Sequence, residues 1–144
     1  MKWVLLANAA ATLFMAGVIW IVQIVHYPLF AGVGETGFAH YATQHARLIS
    51  FVVIPAMVVE LGTAVALALR PGALGPIAAV GLGLLILIWG STFLLQVPLH
   101  ERLAGGFDAD VHQRLVTTNW IRTTLWSLRA GIVLYALGGL LHRP

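Results

Sequence analysis

The sequence predicts an all-α integral membrane protein, a single four-span transmembrane domain over residues 1–144. The expected architecture is a four-helix bundle whose second and fourth helices extend beyond the membrane on one side. Three observations predict it. Hydrophobic residues make up 60% of the chain and charged residues 9%, where a soluble domain carries about 25% charged. Four apolar runs each approach the ~20 residues that cross a bilayer core as a helix. Strand-like alternation is missing, and lipid admits only helices or closed barrels.

The first run is Trp3 to Val25. Lys2 followed by an apolar stretch and Ala7-Asn8-Ala9 imitates a signal peptide. The apolar run continues well past any cleavage there, so a retained span is expected. The second run is Ile49 to Leu69, preceded by GFAHYATQHARL, which Glu35 or Thr36 can cap as a helix. Pro55 falls inside this span and is expected to kink it and free a carbonyl within the bundle. The third run, Ile77 to Val97, follows a tight turn, Arg70 to Pro76, rich in Pro and Gly. The fourth, Trp120 to Leu141, is preceded by a polar helical stretch that Asp108 can cap after Gly105-Gly106.

The same arithmetic excludes whole classes of function. Eight Lys and Arg spread along the chain make no basic patch, so no nucleic acid is expected as a partner. Cysteine is absent, which removes disulfides, thiolate nucleophiles and cysteine metal sites. The expected partners are the lipid bilayer and a hydrophobic small molecule. Gly17, Gly81, Gly83, Gly138 and Gly139 offer small-residue faces for a homo-oligomer. A bacterial inner membrane is expected. Four spans put both termini on one side, with Lys2, Arg70 and Arg143 there and Arg47, Arg102 and Arg114 opposite. The acid-free turn favours cytoplasmic termini.

The polar residues that remain fall on one stripe per helix. In the first span Asn8, Thr12, Met15, Ile19, Gln23 and His26 recur at steps of three or four. In the second helix the face is Tyr41, His45, Ile49, Val52, Ala56, Glu60 and Thr63. The third carries Trp89, Thr92, Gln96 and His100, and the fourth Asn119, Arg122, Trp126 and Arg129. Polar groups facing lipid are costly, so the stripes should face each other. Chain direction then gathers Gln23, His26, His45, Gln96, His100, Asn119 and Arg122 at one membrane surface, around a pocket open to that side.

Two charges lie deeper. Glu60 is roughly 16 Å along its helix from Ile49, and Arg129 roughly 14 Å from Trp120, at 1.5 Å per residue. The depths match, which predicts a Glu60–Arg129 ion pair that fixes packing or takes part in the chemistry. His142, at the C-terminus, is expected to be solvated, and His40 and His112 to lie on the juxtamembrane extensions. His26, His45 and His100 lie nearest the pocket mouth and are the candidate ligands of Zn²⁺, Cu²⁺ or Fe²⁺, or of haem. The opposite reading is that no cofactor is present and that these imidazoles simply prefer an interface. Trp3, Trp20, Trp120 and Tyr27 suit an aromatic belt. Trp89 and Trp126 are deeper and suit a flat wall against a ring-shaped ligand.

The segments QVPLHERLAGG and HQRLVTTNWIRTTLWSLRA resemble the C-terminal signature of the DUF1772 family, small four-helix membrane proteins that include anthrone oxygenases. Pro98, His100, Arg102 and Leu103 fit its Pro-x-Asn-x-Arg-Leu stretch, with His100 in the Asn position, and Asn119 and Arg122 fit the Asn and Arg that follow. The resemblance implies oxidation of an aromatic anthrone to a quinone with O₂.

Two readings of function follow. In the first the protein is an oxidoreductase or oxygenase acting on an aromatic or quinone-like molecule. His45 or His100 serves as general base, Arg122 holds the developing oxyanion, and Glu60 belongs to the catalytic set. Gln23, Gln96, Asn119, Trp126 and Arg129 contact the substrate. In the second it is a non-catalytic accessory, lipophile-binding or transport subunit.

Overall fold

A computed structural model describes residues 2–72 and 74–141. His142 and Arg143 lie outside these residues. Four helices follow one another: α1 (Lys2–Gly32), α2 (Glu35–Ala68), α3 (Leu74–Ala104) and α4 (Ala109–Leu141). No strand occurs among the described residues. The architecture is the expected all-α bundle. Helix α1 packs against α2 and α4, and α3 packs against the same two, so α1 and α3 sit on one diagonal. By length and composition α1, α2 and α3 can each cross a membrane. Helix α4 has 33 residues, comparable in length, and carries the buried Arg122 and Arg129.

The helical extensions are present. Helices α2 and α4 begin well before the apolar runs that start at Ile49 and Trp120. Asp108 caps α4 as expected: its Oδ1 accepts the backbone N–H of Asp110 and of Val111, each at 3.0 Å. The cap expected at Glu35 or Thr36 is not the one used. Gly34 caps α2 with φ 83° and no side-chain bond. The link from α1 is so short that the chain must reverse through positive φ, which glycine adopts without a Cβ clash. Helix α2 runs through Pro55 without a break in its helical conformation.

Helices α1 and α3 share a departure from regular geometry. Each contains a π turn, Val22–His26 and Thr92–Gln96, and in each a proline stands two residues beyond it. Pro28 and Pro98 have no N–H to donate, and their rings crowd the carbonyl four residues back. The ladder widens instead: the Tyr27 N–H bonds to the Val22 carbonyl, and the Val97 N–H to that of Thr92. Such a turn shifts the helix face by one residue and is common at functional sites.

The main core lies toward the π turns and the α1–α2 and α3–α4 connections, where Phe30, Phe38, Leu103, Val111 and Leu115 are fully or nearly fully buried. A smaller apolar cluster of Leu5, Leu67 and Ala136 closes the other end. Between the two lies a polar interior.

Candidate functional site

The deepest polar element joins all four helices. Arg129 Nε donates to Glu60 Oε1 at 2.9 Å. The same oxygen accepts from the Thr12 hydroxyl at 2.7 Å, and Glu60 Oε2 accepts from the Trp126 indole at 3.2 Å. Arg129 Nη2 donates to Thr12 Oγ1 at 3.3 Å, and Nη1 to the Gly81 carbonyl. A Cβ on Gly81 would sit 3.4 Å from that Nη1, so a small residue lets the guanidinium reach the α3 backbone. Asn8 adds bonds to the Glu60 carbonyl and to Thr63. Both Glu60 oxygens are engaged and its side chain is fully buried. A buried ion pair tolerates desolvation only with such added hydrogen bonds.

A second network lies nearer the π turns. Arg122 donates from Nε and Nη2 to Asn119 Oδ1, and from Nη2 to the Tyr27 hydroxyl at 3.1 Å. Tyr27 is bonded in turn to His100 Nε2 at 2.8 Å. Asn119 donates to Gln23 Oε1 at 2.9 Å, and Gln23 donates to the Val116 carbonyl at 3.2 Å. His112 Nε2 donates to the Tyr27 carbonyl at 2.7 Å. Gln96 is held by Ser91 and Thr118.

Arg122 differs from Arg129 in its charge balance. Glu60–Arg129 is the only ion pair among the described residues, so the buried Arg122 is surrounded by neutral partners. Its Nη1 makes no hydrogen bond there and is not sealed from solvent. Arg122 lines a cavity of about 400 Å³ between the four helices. Met15, Ile19, Val53, Met57 and Trp126 supply apolar wall. Tyr27, His45, Gln96, His100, Glu101 and Arg122 supply polar and charged lining. The volume suits a compact small molecule.

His26 and His45 form a pair. His26 Nε2 lies 2.7 Å from His45 Nδ1. His45 lines both the cavity and a second, outward-facing apolar groove of about 470 Å³ between α1 and α2, and His26 lines that groove alone.

Of the expected site residues, His45, His100, Arg122, Gln96 and Trp126 line the cavity. Glu60, Arg129, Gln23 and Asn119 do not. Glu60 and Arg129 form the expected pair, with further bonds to Thr12, Trp126 and Gly81, and neither lines the cavity. Gln23 and Asn119 stand behind Arg122 and hold it. Trp89 is also off the cavity wall.

The three expected metal ligands lie near one another, with ring centroids 4.5 Å apart for His26 and His45 and 5.4 Å for His45 and His100. No group of three or more His, Asp or Glu side chains converges as a ligand set among the described residues. The His26 and His45 nitrogens are bonded to each other across 2.7 Å, too close for a metal seated between two opposed bonds of ~2.0–2.1 Å. His100 spends Nε2 on Tyr27, and its Nδ1 is sealed without a partner.

Two residues gain importance. Tyr27, assigned to an aromatic belt, is 3% exposed and stands between Arg122 and His100. His112, assigned to the juxtamembrane extension, is buried and fixes the Tyr27 backbone. The signal for Tyr27 was Pro28 directly after it, which marks the shifted helix face.

No family model matches the sequence, and neither a curated protein nor a solved structure matches the chain.

Proposed function

We propose that the protein binds a hydrophobic aromatic or quinone-like molecule in this cavity and acts on it as an oxidoreductase of the oxygenase type. The observation that carries the reading is the cavity itself: a largely apolar lining that includes Trp126, with Arg122, which has no ion-pair partner among the described residues, and Tyr27, His100 and His45 on the same cavity. His45 has a free Nε2 for use as a base. The resemblance to anthrone oxygenases supplies the reaction class. A ring methylene flanked by a carbonyl gives a proton to His45, and Arg122 Nη1 holds the resulting enolate oxygen. O₂ then oxidises the methylene to a second ring carbonyl: one oxygen atom becomes the carbonyl oxygen, and the other leaves as water with the two methylene hydrogens, one of them returned by His45.

In this reading α4 spans the membrane with the other three helices, in a bacterial inner membrane with both termini cytoplasmic. Oxygen uptake with an anthrone tests it. The parent protein should consume one O₂ per anthrone, and His45→Ala and Arg122→Ala should each slow uptake at least tenfold, within the range of a lost general base or oxyanion donor. Equal rates in all three sink the mechanism. A second reading, a non-catalytic carrier of lipophiles, is favoured by the outer groove that shares Val18, Val22, His45 and Ile49 with the cavity. Binding of the anthrone with no oxygen uptake by the parent decides for that reading.

A further inference from the structure

We infer that the His26–His45 pair is a proton outlet, and that the cavity holds phenolic or enolic lipophiles as their anions. The inference rests on the ligand-binding part of the reading above and is independent of the oxidation step. Arg122 is the starting point. Among the described residues this buried guanidinium has only Asn119 and Tyr27 as hydrogen-bond partners and no carboxylate within ion-pair distance, and an anion brought by the ligand supplies the countercharge. A neutral phenol entering from lipid must then lose its proton inside the protein, and the proton must leave.

His45 is placed to take it. Its Nδ1 is committed to His26, and the geometry of the imidazole ring aims Nε2 the other way. Nε2 is free and open, on a residue that lines the cavity. His26 is placed to pass it on: it lines the outer groove and not the cavity, and its Nδ1 is likewise free and open. The steps balance. The ligand O–H proton moves to His45 Nε2. The proton on His45 Nδ1 crosses the 2.7 Å bond to His26 Nε2. The proton on His26 Nδ1 goes to water at the outer face. The ligand keeps its electron pair as an oxyanion on Arg122 Nη1.

The groups that face this pair are consistent with one-way use. Tyr41 packs beside His26 at 6.4 Å between ring centroids, and His100 and Tyr27 lie 5.4 and 6.4 Å from His45. Glu101 and Arg122 are on the same cavity wall. His100 and Tyr27 bond to each other, so neither competes for the proton on His45.

The test uses the full chain in detergent, weakly buffered at pH 7, with 1-naphthol and its methyl ether, 1-methoxynaphthalene, as probes. Naphthol should bind with the absorbance of naphtholate and release one proton to a pH-indicating dye. The ether should bind without release and at least tenfold more weakly. In His26→Gln, which can bond to His45 but cannot pass a proton on, release should slow at least tenfold. In His26→Gly, added imidazole should restore the rate. Naphthol bound in its neutral form with no proton released overturns the inference while leaving the ring-binding cavity intact. Release at the parent rate in His26→Gln overturns the role of His26. If neither probe binds, the inference and the cavity reading both fail.

Discussion

Arg129 Nε and Glu60 Oε1 lie 2.9 Å apart with the two side chains 2% and 0% exposed. Each partner is also tied to α1 through Thr12, so removing one leaves the other charged, dry and still held in place. Glu60→Gln should cost about 3–5 kcal/mol of stability, followed by tryptophan fluorescence during denaturation in detergent. Glu60→Gln combined with Arg129→Gln should cost less than the two single changes together, because neither charge is then stranded. Additive losses would count against the pair.

Asn119 offers a sharper probe of Arg122. Its Oδ1 already accepts from Nε and Nη2, so Asn119→Asp places a carboxylate where the countercharge is missing. Asn119→Asp should raise the melting temperature of the ligand-free protein and weaken naphtholate binding at least tenfold. An equal or tighter naphtholate affinity in Asn119→Asp would remove Arg122 as the anion holder.

Pro98 sets the register of the cavity wall. With Pro98→Ala an ordinary i→i−4 bond to the Leu94 carbonyl becomes available, and the π turn over Thr92–Gln96 can close to α geometry. The face carrying Gln96 and His100 then turns away from Tyr27 and Trp126. Helical content by circular dichroism should stay the same while affinity for 1-methoxynaphthalene falls at least tenfold. Unchanged affinity would show that the turn survives without its proline.

Asp108 separates fold from site. Its carboxylate caps α4 and does not line the cavity, and Asp108→Ala should cost about 1 kcal/mol with probe binding unaltered. Loss of binding would mean that the start of α4 positions the site.

Much of the fold was legible in the residues. The four apolar runs become four helices, and the matched depths of Glu60 and Arg129 become their ion pair. The inward stripe of α1 holds from Asn8 through Ile19, all buried. Beyond Gln23 a step of three points His26 inward and a step of four points Tyr27 inward. The π turn shifts the face, so Tyr27 is buried and His26 reaches the outer groove. On α2 the step from Ile49 lands on Val53, which lines the cavity, rather than on Val52, which is 46% exposed. Spacing of three and spacing of four fit the sequence equally, and only packing against α1 and α3 chooses between them. Spacing leaves the histidine geometry open for a related reason. Spacing can gather imidazoles at one level, but their hydrogen-bond partners decide which way each nitrogen faces.

The clasp around Glu60 also sets the mechanics of the molecule. Thr12, Glu60, Gly81 and Arg129 pin one point on every helix, like the rivet of a pair of tongs. The cavity walls lie on the arms beyond it. A small rotation at the rivet becomes a wider opening at the jaws, so exchanges among the dry residues of the pin should tune how large a guest is admitted, with Trp126, bonded to Glu60, carrying the change to the cavity wall.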